Sequence, residues 1–419
     1  MKQPSAFDVA VVGGGLVGAS FTALLSALRP DLKIALIETF PMSAAKGELL
    51  YQPSFDARST AIASGSVDIL KAAGVWDALS GQACAIRQVH VSDKGHIGGT
   101  TVDADKHDLP AVGYVLENAW MGPVLLRHLH TLDNVSLIAP ATVTSIKPEK
   151  TGVRLAVSAG SDSQELFVAL AVIADGGDSP LRKRLGIESR VEQYHQHAII
   201  SNVSFDRSHD HVAYERFTDE GPLALLPLQP FEGQSRSALV WTLPDDRCKT
   251  LMALSDAEFA SALQQRFGFR LGNISRIGKR SAYPLALSTA CEQIRSNLVL
   301  IGNAAHFLHP VAGQGFNLAL RDCAQLCVQL AKNTEGALGS LQSLEAYRQQ
   351  QVLDQHATIG FSDAVIKLFS RSDLPSAVLR QLGFLGLEVL PTANQLFAEQ
   401  AMGKLGAHLS PDLISGSRP

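Results

Sequence analysis

The apolar positions at the start of the chain fall into three blocks: "DVAVV" over Asp8–Val12, an apolar and small-residue run over Leu16–Leu28, and "KIALIE" over Lys33–Glu38. Short apolar runs bounded by turn residues suit buried strands, and a longer one suits a helix. The spacing therefore predicts strand, helix, strand, the opening of a βαβ unit. Residues 9–28 carry no charge, which would also suit a membrane span or a signal anchor. Four glycines at 13, 14, 15 and 18 cut that run, only Lys2 precedes it as a basic residue, and a second apolar strand follows at once. Strand, turn and helix account for it better.

Further along, the pattern predicts a helix around Ser59–Ala73, a helix near Val124–Leu132, extended runs at "VSLIA" and "TVTSI", and a strand Leu166–Ala174 that ends at Asp175-Gly176-Gly177. Between about 195 and 290 the runs "HAIISNVSF", "LALLPL", "SALVWTL" and "AYPLAL" make the chain strand-rich, with one helix near Ser255–Phe267. This predicts a separate sheet-based domain. A strand Leu298–Ile301 then feeds a glycine-rich stretch, a helix runs from near Gly315 to about Ala331, and more helices follow. No internal repeat or low-complexity tract appears.

A length of 419 residues suits two or three domains with a large core. Hydrophobic residues make up 46% and charged residues 18%, and the net charge of −4 offers nothing to nucleic acid. The five cysteines form no C-x-x-C pair and are odd in number, so neither a disulfide framework nor a zinc site is expected, and a reducing compartment is favoured. Cys323 and Cys327, one helical turn apart, read as small core residues.

The chemistry begins with Gly13-Gly14-Gly15-Leu16-Val17-Gly18, a G-x-G-x-x-G directly after a strand and opening a helix. Glu38 lies twenty residues beyond Gly18, at the end of the next strand. This is the full context of a dinucleotide fingerprint. Gly13 permits the tight turn, Gly15 lets backbone amides approach a pyrophosphate at the helix N-terminus, and Gly18 lets helix and strand pack closely. Glu38 is placed to accept hydrogen bonds from ribose hydroxyls. The fingerprint alone does not separate a nicotinamide from a flavin nucleotide. A second fingerprint and a redox cysteine pair, usual in two-nucleotide reductases, are both missing.

Two further stretches, "VIADGGDSPLRKRLG" and "LVLIGNAAHFLHPVAGQGFNLALRD", complete a trio with the fingerprint. Together they resemble the FAD-dependent aromatic hydroxylases typified by p-hydroxybenzoate hydroxylase, over about residues 6 to 370. Within that family, "HVSDKGHIG", "YERFTDEGPLALLPL", "GKRSAYPLAL" and "LHPVAGQGFNLALRD" are similar to the ubiquinone-biosynthetic hydroxylases of the 2-octaprenyl-6-methoxyphenol type. Sister hydroxylases usually carry Asp where this chain has Asn303.

The resemblance implies an α/β fold with a Rossmann-like FAD-binding domain, an inserted β-sheet substrate domain and C-terminal helices. It divides the chain into a discontinuous FAD domain (1–80, 97–180, 275–335), a substrate sheet domain (81–96, 181–274) and a C-terminal helical region (336–419). The FAD contacts it implies are Gly13, Gly15, Gly18 and Glu38, then Arg58, Asn118 and Asp175, then Gly302 and Asn303, and finally Pro310, Gly313, Gln314, Gly315, Phe316 and Asn317 around the isoalloxazine ring. Asn118 stands where the family has an arginine. A helix starting at Gly315 would aim its N-terminal amides at the negative charge of reduced flavin. Taken by themselves, Asp175-Gly176 is also an ordinary strand-end turn and Arg58 an ordinary surface charge.

His306 and His309 do not make a metal site, because zinc takes three or four protein ligands and no third candidate stands at motif spacing. His306 reads as structural. His309, beside Pro310 at the ring edge, reads either as a catalytic contact to substrate or flavin or as a structural histidine.

The implied reaction is hydroxylation of a polyprenylated phenol. NADPH or NADH reduces FAD, reduced flavin captures O2 as a C4a-hydroperoxide, and the distal oxygen passes to the ring. No general base is visible in the sequence. Phe217, Leu223, Leu225, Leu226 and Pro227 read either as an apolar pocket lining or as core. The implied setting is cytoplasmic, with the inner-membrane surface and a ubiquinone-biosynthetic complex as candidate partners. "LPSAVLRQLGFLGLEVLP" over Leu374–Pro391 is a candidate surface contact, interrupted by Arg380 and Glu388, or a helix packed on its own core. A sister ubiquinone-pathway hydroxylase acting at another ring position, a flavin-dependent reductase on the same fold and a non-catalytic flavin-binding organiser are the alternatives.

Overall fold

The computed structural model describes residues 7–42, 58–93, 99–308, 313–332 and 338–369. The chain is a mixed α/β protein. A six-stranded sheet runs in the order Ile294–Arg295, Leu298–Leu300, Leu170–Ile173, Val9–Val12, Ile34–Ile37, Val135–Ile138, and its last five strands are parallel neighbours. Its central strands are buried on both faces, as their unbroken apolar runs require. The helix Leu16–Leu28 follows the first strand, and the helices Asn118–Leu129 and Gln314–Lys332 pack with it. One core cluster joins Phe21, Leu25, Leu36, Met121, Leu320 and Tyr347. On the other face, the antiparallel sheet Thr142–Glu149, Gly152–Ala159 and Asp162–Val168 shares a core with Ala10, Ala171 and Leu300.

The strand-rich region forms a nine-stranded sheet. It is ordered His306–Phe307, Ser281–Ala290, Ser189–Phe205, Gln234–Pro244, Gly221–Phe231, Val212–Thr218, Gln88–Asp93, Gly99–Asp103, with Ile274–Ile277 paired to Ser189–Phe205. It draws on strands either side of the 181–274 segment. One face carries Leu223, Leu225, Leu239 and Trp241 into a core closed by the helices Asp245–Met252 and Asp256–Phe267. The second helix begins with a capping box, Ser255 with Glu258. The opposite face turns toward a small sheet of Ser59–Ala63, Gly113–Glu117 and Cys84–Ile86.

Three expected elements differ. The run Leu166–Ala174 is not one strand: Asp162–Val168 belongs to the three-stranded antiparallel sheet and Leu170–Ile173 to the six-stranded sheet. Ser59–Ala63 is extended and the helix starts only at Ser64, because Ser59–Ala63 pairs in register with Gly113–Glu117. The helix expected near Val124–Leu132 starts at Asn118 and contains Pro123 in its second turn. Residues 9–28 form the strand and helix already described, and no helix among the described residues is long and apolar enough to cross a membrane. Beyond the helix Leu341–Phe369, residues 370–419, with the candidate surface segment Leu374–Pro391, lie outside the described residues.

Candidate functional site

Parallel pairing brings the loops after four strands to one edge of the six-stranded sheet: Gly13–Gly15, Glu38, Asp175–Gly177 and Gly302–Asn303. This is where open α/β sheets bind ligands. Gly13 has φ +107, and a Cβ there would lie 2.4 Å from the Ala174 carbonyl oxygen. A Cβ at Gly18 would lie 1.9 Å from the Gly13 carbonyl oxygen. Strand, turn and helix thus touch backbone to backbone. Gly15 is the N-cap of the helix Leu16–Leu28, and no side chain caps that N-terminus. Its first-turn amides are the donors an anion would take. Glu38 lies against the same turn: Gly14 N–H donates to its Oε2 at 2.6 Å and Phe40 N–H to its Oε1 at 2.9 Å.

Asp175 Oδ2 accepts from Leu181 N–H at 3.3 Å, while its buried Oδ1 has no hydrogen-bond partner. Burial raises its pKa, opposed by the hydrogen bonds from Ser179 and Leu181. Gly302 has φ +60, and a Cβ there would meet Val17 Cγ1 at 2.9 Å. Asn303, next on that 3-10 turn, is exposed at the same edge.

A second group forms where the helix Gln314–Lys332 starts, one residue before the expected Gly315. Gly313 has φ +61 and approaches Ala61. Gln314 is buried, and Gly315 and Phe316 are half-buried. Asn317 is fully engaged with backbone: its Oδ1 accepts from Ala63 N–H at 2.9 Å, and its Nδ2 donates to Ala61 O at 2.9 Å and Gly313 O at 2.8 Å. It clamps the small sheet to the helix start. Asn118 opens its helix beside this strand, accepting from Thr60 Oγ1 at 2.6 Å through its side chain and donating its N–H to Arg58 O at 2.8 Å. The Arg58 guanidinium stands 5.2 Å from the centre of the Tyr283 ring. His309 and Pro310 lie outside the described residues.

Two residues that hold the site do so through partners that the sequence does not name, Arg182 and the histidine read as structural, His306. Arg182 is buried and donates to Gly177 O at 3.0 Å and Ala304 O at 2.8 Å, tying the Asp175 loop to the Gly302 turn. His306 is buried with Nε2 against Asp322, whose other oxygen accepts from Gln355 at 2.9 Å. Among the described residues no three His, Cys, Asp or Glu side chains gather as metal ligands would. Of the candidate pocket residues, Leu223 and Leu225 face the helix-covered core instead, because side chains alternate along a strand. Pro227 follows the same alternation, while Phe217 and Leu226 lie on the opposite face, toward the small sheet.

The glycine turn closed to any Cβ, the uncapped helix start, the carboxylate at the turn and the unpartnered Asp175 oxygen all fit a dinucleotide.

Residues 6–357 match the FAD binding domain family. Over 98% of the chain, the sequence is 35% identical to the ubiquinone hydroxylase UbiL of Rhodospirillum rubrum, covering 92% of that protein. It is 28% identical to the 3-demethoxyubiquinol 3-hydroxylase of Escherichia coli, over 96% of this chain and 99% of that one. The fold is similar to that of p-nitrophenol 4-monooxygenase PnpA from Pseudomonas putida, with a TM-score of 0.75 at 20% identity over 96% of this chain and 99% of the other. Fold and site together define an FAD-dependent aromatic-ring monooxygenase, and the chain belongs to the family that contains the ubiquinone hydroxylases.

Proposed function

We propose that this protein hydroxylates a polyprenylated phenol of the 2-octaprenyl-6-methoxyphenol type in ubiquinone biosynthesis, with NADPH or NADH as reductant and O2 as oxygen source. The observation that carries this reading is the 35% identity to a ubiquinone hydroxylase along nearly the whole chain. The choice of ring position rests on the stretch around Asn303, which resembles the methoxyphenol branch.

The backbone at Gly13, Gly15 and Gly18, with Glu38, would hold the adenosine and pyrophosphate half of FAD, as the fingerprint geometry requires. Asp175, Gly302 and Asn303 would flank its middle, and Gly313–Asn317 with Arg58 and Asn118 the ring end, joined there by His309 and Pro310. Bound there, FAD supplies hydride acceptance from the nicotinamide and activation of O2. The protein's own part is to orient the phenol and keep water out. The sheet face bearing Phe217 and Leu226 offers an apolar wall for the ring. A prenyl tail partitions into lipid at about 0.8 kcal/mol per buried CH2, so the substrate is expected to arrive from a membrane surface. Contact with that surface or with partner enzymes of the pathway is part of this proposal.

Lipid extraction from cells lacking the protein tests it. Accumulation of an octaprenyl methoxyphenol, relieved by the intact chain, is the expected result. Accumulation of a later intermediate would move the reaction to another ring position, and an unchanged quinone profile would remove the pathway.

A further inference from the structure

Glu215 sits in the strand Val212–Thr218, between Ala224 on one neighbouring strand and Val91 on the other. Alternation sends Tyr214 to the helix-covered face, where it meets Phe267 edge to face with ring centres 5.4 Å apart. Arg216 follows Tyr214 in parity. Ala213, Glu215 and Phe217 take the opposite face, where Ala213 shares a cluster with Val115 and Ile86 of the small sheet.

The register carries the row of Glu215 across the sheet through Ala224, Val240, Ile200 and Ser281. The adjacent row on one side ends at Tyr283, beneath Arg58. The row on the other side contains Asn202, which donates to Glu117 at 2.9 Å, immediately before Asn118. Glu215 therefore belongs to the face that meets the ring end of the cofactor site. The rest of its row is aliphatic apart from Ser281, and among the described residues no hydrogen bond or ion pair engages its carboxylate. By contrast Asp322 meets His306, Asp354 meets Arg321 and Glu117 meets Arg236. Glu215 is half-buried.

We propose that Glu215 is a catalytic residue: its carboxylate accepts the hydrogen bond of the substrate's phenol hydroxyl and takes that proton as oxygen is transferred to the ring. This rests on the reading given under Proposed function. The phenol O–H bond breaks and an O–H bond to a Glu215 carboxylate oxygen forms. The electron pair left on the phenol oxygen enriches the ring carbons ortho and para to it; one of them would form a C–O bond to the distal oxygen of the O2-derived oxidant that bound FAD supplies, as the O–O bond breaks with its electron pair leaving on the proximal oxygen. The hydroxylated carbon then gives up its hydrogen as a proton, which neutralises the oxygen left by O–O cleavage; the C–H electron pair restores the aromatic ring, and Glu215 returns its proton to the phenol oxygen.

Burial alone pushes the pKa of Glu215 up to about 7, a value suited to a base at neutral pH. Of the charged and titratable groups on the packed elements, Asp93 lies two residues along the neighbouring strand from Val91, and Glu117 is held by Asn202 and Arg236. His90 and Arg216 belong to the other face, as the stacking of His90 on Tyr214 shows. The carboxylate is the active form, so activity should rise with pH through about 7 and level off above it.

The test uses the FAD-loaded protein with NADPH, O2 and the short-tailed probe 2-methoxy-6-prenylphenol between about pH 6 and pH 9, reading hydroxylated product. Binding of the probe is read separately from the shift in flavin absorbance. Wild type should show the rising limb in kcat/KM and bind the phenol more tightly above it. Glu215→Gln should retain flavin, lose both pH dependences and fall roughly tenfold to a hundredfold in kcat/KM at pH 8. Wild-type hydroxylation with an unchanged Glu215→Gln profile, or a wild-type profile flat across pH 7, overturns the assignment of Glu215 alone. If Glu215→Gln does not retain flavin, Glu215→Asp decides: a limb that moves with the new carboxyl supports the assignment and an unmoved one overturns it. A wild-type protein that neither binds nor hydroxylates the phenol overturns the proposed function and this assignment with it.

Discussion

Gly18 carries a constraint that its identity alone announces. A methyl group there would meet the Gly13 carbonyl oxygen at 1.9 Å, backbone against backbone, with no flexible side chain to give way. Gly18→Ala is therefore expected to push the helix Leu16–Leu28 off the first strand, destabilise the fold by about 1–3 kcal/mol and cut the FAD content of the purified protein several-fold. Flavin absorbance per chain and a denaturation curve check this, and a fully yellow variant would show that the turn yields. Such positions are legible in a sequence because a local backbone requirement selects one residue type at fixed spacing. Arg182 and His306 are not legible in the same way. Their partners are the carbonyls of Gly177 and Ala304 for one and Asp322 for the other, a match made only when the chain has folded. Glu215 is hidden more thoroughly still, since its meaning lies in having no partner on an apolar sheet face.

At the scale of elements, the helix Gln314–Lys332 shows what hydrophobic period can and cannot reveal. Its extent is legible within a residue or two from its apolar face. Its buried polar contacts are not: Asn317 holds the small sheet, Asp322 holds His306, and Arg321 meets Asp354 of the helix Leu341–Phe369 at 2.6 Å, with Thr358 adding a hydrogen bond at 3.0 Å. The Arg321 and Asp354 side chains are 1% and 3% exposed, so removing one leaves the other charged and desolvated. Asp354→Ala is expected to cost about 3–5 kcal/mol in a chemical denaturation experiment, and the double change Arg321→Met with Asp354→Leu to recover most of it. Equal losses in the single and double variants would show that packing, not the uncompensated charge, sets the cost. The strand Ser59–Ala63 is the converse case. Read alone, "STAIASGSVDIL" suits a helix, and only pairing with Gly113–Glu117 makes its first five residues extended. Tertiary pairing overrides local preference here.

For the whole molecule, the question is how two bodies with largely separate cores stay in register across the proposed substrate site. The nucleotide-binding sheet and the large sheet each have their own core clusters. A smaller apolar cluster joins the small sheet to the large one, and beside it Glu117 makes a polar tie. Its carboxylate accepts from Asn202 at 2.9 Å and meets Arg236 at 3.1 Å, so a residue one position before Asn118 grips two strands of the large sheet. The pair is only partly buried, with Arg236 17% and Glu117 33% exposed, and ion pairs in such places contribute little to global stability. Their effect should appear instead in alignment, because a small misplacement of a reacting group has a large effect on rate. Glu117→Ala is accordingly expected to cost no more than about 1–2 kcal/mol in denaturation. The same variant should lower the fraction of NADPH oxidised that appears as hydroxylated phenol, with hydrogen peroxide making up the difference. Measuring peroxide and product per NADPH in the same reaction checks it. Unchanged partitioning would mean that the apolar cluster alone keeps the sheet in place over the flavin, and a loss of stability well above that range would mean that the tie belongs to the fold and not to the reaction.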